Sequence, residues 1–497
     1  MSVVERHLRP RVLEALDDTR VVVVLAARQV GKSTLVQDVA TRDRPATILT
    51  LDDQATRDAA AADPAGFLAG LVTPVVIDEV QRVPDLLLAI KVRVDRAPAP
   101  GQFLLTGSAN ILTAPRIADA LTGRAEYLRL APFSQGELRG TTESFVPLLF
   151  DGRWPQITSR NVGRAAYAEI VATGGYPAVM NRTDARRARF FDSYVDTIIQ
   201  RDLSTIAQVH DQANVRNLLS AIASTSASLM NFDSLARDLA LSANTVRSHT
   251  ALLDTLFLTT RLEAWSTNLL SRVIKTPKAY VTDTGLLCHL IGADANRLAV
   301  DGAIAGMAFE TFAAMELRRQ VASQDNAPRQ FHYRDRDGRE VDVVLERRDG
   351  SVVAVEVKTA ASASPSDFRG LRHLRDKLGE RFKGACCSTP ASRRCRSVID
   401  SRPSRSVVCG QARLDAPGAD PDAPAGSAAR QPPRVRRRPR NTDTRRTSSR
   451  WVMFLTREVR PAGDNPSVTQ VLRRRCRRGP HAPAPTWPVG RAPRRRP

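Results

Sequence analysis

The feature that most constrains this 497-residue chain is an apolar run, Val21–Leu25, that passes through a short loop into Gly31-Lys32-Ser33-Thr34 and then a helical pattern. A strand that is apolar throughout, rather than at alternate positions, belongs in a parallel sheet covered on both faces. A Gly-Lys-Ser at the head of the following helix supplies an anion cradle. Backbone N–H groups and the helix N-terminus point at phosphates, Gly31 lets the backbone come close, and Lys32 adds a charge for the β- and γ-phosphates. The Ser33 hydroxyl can ligate Mg²⁺. The whole loop reads Ala26-Ala27-Arg28-Gln29-Val30-Gly31-Lys32-Ser33-Thr34, with Ala26 where the usual pattern has its first glycine. Alanine is accepted there if φ stays negative. These residues are the expected ATP-binding set.

A second apolar strand, Pro74–Ile77, ends in Asp78-Glu79, about 45 residues further on. An aspartate at the end of such a strand lies beside the phosphate-bound Mg²⁺, so Asp78 joins Ser33 as the expected metal pair. Glu79 can orient and deprotonate the attacking water, which makes Glu79 and Lys32 the expected catalytic residues. A third strand, Phe103–Thr106, leads into Gly107-Ser108-Ala109-Asn110, and Thr106, Ser108 and Asn110 are all candidates for sensing the γ-phosphate. Arg124 is a candidate arginine finger, in cis or from a neighbouring subunit, or else an ordinary surface arginine. With Thr47–Leu51 and Tyr127–Leu130 as further strands, and helical stretches between, residues 1–140 read as an α/β domain.

Residues 160–295 turn helical with few strand signals. Asn231–Asp254 reads as a helix-turn-helix: Asp233 can cap the first helix, Leu241-Ser242 makes the turn, and Ala243–Leu253 is the second helix. Such a helix can enter a DNA major groove with Asn244, Thr245, Arg247 and His249 exposed; a lid or protein-interaction module is the other reading. From 300 on, a helix (Ala308–Gln320), two strands (Glu340–Leu345 and Val352–Val357) and another helix (Pro365–Leu378) follow. Asp342 on the first strand and Glu356-x-Lys358 on the second have nuclease-like spacing, and alternation puts Glu356 and Lys358 on one face. Two carboxylates there can hold Mg²⁺, Lys358 can activate water, and Glu310 can complete the metal set. The same scaffold can also serve binding alone.

Several segments together resemble a large prokaryotic group of AAA-type ATPases with a C-terminal domain of unknown function. They are Ala27 to Thr34, Val76-Ile77-Asp78-Glu79-Val80-Gln81, Leu105-Thr106-Gly107-Ser108, Leu130-Ala131-Pro132-Phe133-Ser134, Gly174-Gly175-Tyr176-Pro177, Lys278 to Leu286, and Glu340-Val341-Asp342. The resemblance covers about residues 1–384. It implies an AAA-like P-loop NTPase domain, a winged-helix segment and a small α/β domain of PD-(D/E)xK type, with ATP and Mg²⁺ as cofactors and no stated biological role. The expected domains are 1–140 (ATPase), 141–205 (helical lid or linker), 206–295 (winged-helix-like), 296–384 (nuclease-like) and 385–497 (a disordered tail).

The net charge of +22 would suggest a nucleic-acid binder, but it is uneven. Residues 1–383 carry 48 Lys and Arg against 45 Asp and Glu, whereas 384–497 carry 26 arginines, no lysine and 7 acids. Five of the six cysteines lie in that tail, with no C-x-x-C pair or disulfide framework, which fits a reducing compartment. The N-terminus has no signal-peptide character, and no apolar run approaches the ~20 residues that span a bilayer. The expectation is a cytoplasmic protein without a membrane partner. Oligomerisation and a DNA or protein partner remain open. The composition break near 384 suggests a frameshift: residues 385–402, reread one base earlier with GC-rich codons, can encode an apolar strand, a turn and a strand. The nuclease-like domain would then lack its last strands and expose apolar edges. A native basic tail that binds RNA or DNA nonspecifically is the alternative.

Overall fold

The computed structural model describes residues 3–107, 121–153, 163–203, 211–359, 364–388, 397–399 and 406–408. Five strands near the N-terminus, β1 (Val21–Leu25), β2 (Thr47–Thr50), β3 (Val75–Asp78), β4 (Phe103–Gly107) and β5 (Ala125–Arg129), form a parallel sheet in the order β2-β3-β4-β1-β5. β1 shows why the run is apolar throughout. Val22 and Val24 pack into the core on one side of the sheet, and Val21, Val23 and Leu25 into the core on the other. Each such side chain contributes roughly 1.5–3 kcal/mol on burial. The order in which strands are added reverses at β1, which has β4 on one side and β5 on the other. Ligands of open α/β sheets bind at such a switch point, beyond the carboxyl ends of the strands. The helix Lys32–Arg42 begins there, with Gly31 as its N-cap at φ 94°.

The region expected to be helical also holds a small sheet. β6 (Ser228–Leu229), β7 (Thr259–Leu262) and β8 (Lys278–Val281) pair antiparallel in the order β6-β8-β7. Strands of two to four residues are too short to show a period against their helical surroundings. Helices Gln212–Ser224 and Ala243–Thr255 pack against this sheet, and Phe232–Asp238 packs on Ala243–Thr255. Asn231, not Asp233, caps the middle helix, its side chain accepting from the Asp233 and Ser234 N–H groups. Ser242 caps the next one. The helix Arg164–Thr173 packs on Thr284–Leu290 and Ala295–Val300. One apolar cluster runs from Leu8 through these helices to Phe312, so the expected lid and helix-turn-helix segments share a core.

The last sheet is built on the helix Gly302–Ala322. Strands β9 (Arg329–Arg334), β10 (Glu340–Glu346) and β11 (Val352–Val357) are antiparallel neighbours. The helix Arg369–Leu378 then crosses over to β12 (Phe382–Ser388), which lies parallel to β11. β13 (Ser397–Ile399) and β14 (Ser406–Val408) extend the sheet beyond β12. β9 was not anticipated, because its alternation of Arg and Gln with Phe and Tyr is broken by a buried histidine.

The boundary placed at 384 is corrected. It falls inside β12, whose Ala385, Cys386 and Cys387 are buried. The domain therefore does not lack its closing strands. The Arg- and Pro-rich segment from 409 onward lies outside the described residues. Among the described residues no helix is long and apolar enough to cross a membrane.

Candidate nucleotide-binding site and C-terminal carboxylate cluster

The loop after β1 and the end of β3 meet. Ser33 Oγ donates to Asp78 Oδ2 at 2.8 Å, although the two residues are 45 positions apart. Lys32, which is 5% exposed, lies 3.6 Å from Glu79 Oε1 and points its ammonium at the carbonyls of Ala26 (3.4 Å) and Ala27 (3.5 Å). Thr106, fully buried at the end of β4, donates to Asp78 Oδ1 and accepts the Glu79 N–H at 3.1 Å. Glu79 adopts φ 58°, a left-handed conformation uncommon for a non-glycine residue. Gln29 does the same at φ 60° within the loop. Strain of this kind persists where the surroundings over-determine it, and it gathers at functional sites.

These residues fit ATP and Mg²⁺. A Cβ at Gly31 would meet only the Arg6 guanidinium, at 3.6 Å, so the backbone there is open to a close approach, and its φ of 94° requires glycine. Lys32 would hold phosphate oxygens, and the Ser33 hydroxyl with the Asp78 carboxylate is the oxygen donor set Mg²⁺ prefers.

Four of the sequence candidates fare differently. Arg124 is corrected as a cis finger. Its carbonyl accepts the Val21 N–H at the amino end of β1, and its guanidinium pairs with Asp95 (Nε to Oδ1, 2.5 Å). The ATP loop leaves the other end of that strand, roughly 13 Å away at 3.3 Å per residue. Ser108 and Asn110 lie outside the described residues, which leaves Thr106 as the placed sensor candidate. The Arg28 side chain pairs with Asp202 at 2.6 Å, and the Arg28 carbonyl accepts from the Tyr194 hydroxyl at 3.4 Å. The helices behind the loop are therefore bonded to it.

Sequence reasoning missed Arg6, since a lone arginine near the N-terminus carries no signal. It is buried over the Phe133 ring, donates to the Val30 carbonyl (2.7 Å), and pairs with Glu137 (3.0 Å). The motif glycines become intelligible in the same region. Added Cβ atoms would stand 2.3 Å from Asp283 Oδ1 at Gly174, 2.4 Å from the Phe133 carbonyl at Gly175, and 2.4 Å from the Thr173 carbonyl at Gly285. Asp283, wholly buried, accepts the N–H groups of Gly175, Gly285 and Leu286 and faces Arg319 at 3.6 Å. Burial pushes its pKa up against the pull of Arg319 and those N–H groups.

In the C-terminal half, Glu310, Asp342, Glu356 and Lys358 do converge, around a cavity of about 330 Å³. A residue that sequence reasoning left without a role sits among them. Lys278, from β8, lies 2.7 Å from Glu310, 2.7 Å from Glu340 and 3.2 Å from Asp342. Lys358 pairs with Glu356 at 2.7 Å, and the Tyr280 hydroxyl donates to Glu310 at 3.0 Å. Burial, then the Asp342 charge, pushes Glu310 up to about 7 and Glu356 up to about 8. Burial alone would pull Lys278 down, but Glu310, Asp342 and Glu340 outweigh it and hold its pKa above the ordinary lysine value. No grouping of His, Cys, Asp and Glu able to hold a metal exists among the described residues. The expected Mg²⁺ does not fit here: one oxygen each of Glu310 and Asp342 already serves the Lys278 ammonium, and one of Glu356 serves that of Lys358.

The sheet order and the meeting of Lys32, Ser33, Asp78 and Glu79 at its switch point define a P-loop ATPase of the AAA type. Residues 18–139 match an AAA domain, 164–297 a domain of unknown function (DUF8612), and 305–401 another domain of unknown function (DUF4143), the last passing the boundary expected at 384. Over 375 residues the chain is 30% identical to Uncharacterized protein Rv2008c of Mycobacterium tuberculosis and to Uncharacterized protein Mb2031c of Mycobacterium bovis, covering 75% of this chain and 77% of each relative. The chain belongs to the same family as these mycobacterial proteins. Among solved structures, Thermotoga maritima RuvB T158V is 18% identical over 51% of this chain and 87% of its own, at a TM-score of 0.25. A Signal Transduction ATPase with Numerous Domains, PH0952 from Pyrococcus horikoshii, is 12% identical over 64% of this chain and 44% of its own, at 0.22. Likenesses of that degree are too low to carry an argument.

Proposed function

We propose that this chain is a Mg²⁺-dependent ATPase whose nucleotide state is coupled to the C-terminal half as a switch. The observation that carries the first part is the 2.8 Å contact of Ser33 with Asp78, with Lys32 and Glu79 3.6 Å apart beside it. In this reading Lys32 binds phosphate, Ser33 and Asp78 hold Mg²⁺, and Mg²⁺ supplies charge neutralisation on the phosphates. Glu79, fixed through its own N–H by Thr106, orients the attacking water and takes its proton. Lys32→Ala should lose nucleotide binding. Glu79→Gln should retain binding and lose about 10²–10⁴-fold in turnover, the usual worth of a positioned base. ATP hydrolysis unchanged in both variants would reject the proposal.

Coupling is supported by a buried polar chain. Arg6 joins the Val30 carbonyl of the loop to Glu137, and the Gln135 N–H beside it donates to Glu316 at 2.9 Å. Glu316 and Arg319 lie on the helix Gly302–Ala322, which also carries Glu310 of the second cluster. A rigid helix that carries part of one site and is bonded to the other through this chain can transmit a change at either one, provided it has two discrete positions.

In this reading the coupled module is the winged-helix-like segment, and its exposed surface favours a protein partner over DNA. On the helix Ala243–Thr255 only Asn244, Arg247, Ser248 and Ala251 are exposed, Thr245 and His249 being half-buried, and Arg247 lies over the Phe232 ring at 5.0 Å. The segment between β7 and β8 is bonded to the last sheet, the Trp265 N–H donating to the His332 carbonyl at 2.6 Å. It presents Leu269, Leu270, Val273 and Ile274 to solvent, each 67–80% exposed. Clustered exposure of that kind marks an interaction surface, and it carries little positive charge for phosphates. ATPase assays with and without DNA, together with a pull-down, separate the two partners. DNA-stimulated turnover that Arg247→Ala abolishes would favour DNA.

A further inference from the structure

We propose that the Lys278 ammonium is the resident cation of the C-terminal carboxylate cluster, occupying the place a divalent metal would take and locking the β6-β8-β7 sheet to the last domain. The inference does not depend on the ATPase reading.

The geometry is that of an ammonium site. Lysine has three N–H donors and no acceptor. Lys278 Nζ has a carboxylate oxygen within 2.7–3.2 Å in each of three directions, from Glu310, Glu340 and Asp342. Its side chain is 3% exposed, so these oxygens are its partners in place of water. The second oxygen of Asp342 is also taken, accepting the Val357 N–H at 2.9 Å, and one oxygen of Glu356 receives Lys358. Mg²⁺ would need the same oxygens at 2.0–2.1 Å in octahedral array, beside a fixed positive charge. A deeply buried charge is retained where it is paired and hydrogen-bonded, and both conditions hold for Lys278.

The three carboxylates come from two elements, the helix Gly302–Ala322 and β10, and the ammonium from a third, β8, of the other sheet. The connection between β7 and β8 is tied to β10 as well, where Arg272 of the helix Leu269–Ile274 pairs with Glu346. A site with nuclease-like carboxylate spacing is thereby made into a structural clasp, and metal-dependent hydrolysis is closed to it while Lys278 stays in place.

The test is Mn²⁺ binding to the full chain without nucleotide, followed by the paramagnetic signal of free Mn²⁺. The wild-type protein should show no binding that Asp342→Asn removes. Lys278→Met, which keeps the apolar stem and removes the charge, should gain at least tenfold in Mn²⁺ affinity. Lys278→Met combined with Asp342→Asn should lose that gain, and Lys278→Arg should behave as wild type. Wild-type binding abolished by Asp342→Asn overturns the proposal, as does a folded Lys278→Met protein that binds no more Mn²⁺ than wild type. The wild-type comparison decides the question even if Lys278→Met does not fold.

Discussion

Replacing Asp283 by alanine should be among the most damaging single changes outside the nucleotide site. Asp283 Oδ1 accepts from Gly285 (2.9 Å) and Leu286 (3.1 Å), Oδ2 accepts from Gly175 (2.7 Å), and Arg319 stands 3.6 Å away. The side chain has no exposure, so water cannot replace it. Removing one partner of a buried ion pair costs about 3–5 kcal/mol, because the other charge stays behind. Here Arg319 keeps Glu316 at 2.5 Å, which moves the expectation to the lower half of that range. The lost helix cap adds about 1 kcal/mol, so a total of about 4 kcal/mol is expected. In urea titration followed by tryptophan fluorescence, with a slope of about 3 kcal/mol/M, the midpoint should fall by roughly 1.3 M. Asp283→Asn keeps the acceptor for Gly285 and Leu286 but turns an N–H donor toward Gly175 or Arg319. It should recover about the 1 kcal/mol of the cap and little more. A midpoint shift below about 0.3 M for Asp283→Ala would refute the reasoning, since it would mean that these partners find others at little cost.

Thr106→Val should leave ATP binding within a few-fold and lower turnover by about 5- to 150-fold. That range is the equivalent of the 1–3 kcal/mol lost when the Glu79 N–H has no acceptor, and nucleotide binding measured beside kcat checks it. His332, buried with Nε2 on the Thr276 carbonyl at 3.1 Å, is pulled down to about 4 by burial and by Lys278. The unfolded chain therefore binds the proton first as pH falls. The stability is complete above about 6.5 and lost towards 4, about 3 kcal/mol in all. Glu310 and Glu356 are shifted upward and act in the opposite sense, stability falling as pH rises from about 4.5. The measurement is therefore the difference between wild type and His332→Phe in urea midpoints from pH 4 to 7, which should narrow with acid; a constant difference would contradict it.

The sequence alone determined the nucleotide half. A run buried on both faces cannot alternate, so β1 announced a parallel sheet, and Gly-Lys-Ser has a narrow chemical meaning at the head of a helix. The acidic end of β3 was legible for the same local reason. That Glu356 and Lys358 share a face could be read from strand alternation, because a period of two fixes which side chains of one strand lie together.

The convergence of Glu310, Asp342, Glu356 and Lys358, and what it means, were decided by tertiary structure. Lys278 is 64 positions from Asp342 and belongs to another sheet, and no local pattern marks a lysine that will be enclosed by carboxylates. The packing of Asp283 against Gly174, Gly175 and Arg319, and the placement of Arg124 at the far end of the sheet, are likewise long-range. Periodicity reports a residue's own element and the face it occupies. Which charges meet across elements is set by how buried surfaces fit together, and in this chain that fit turns a metal-like carboxylate set into the seat of an ammonium.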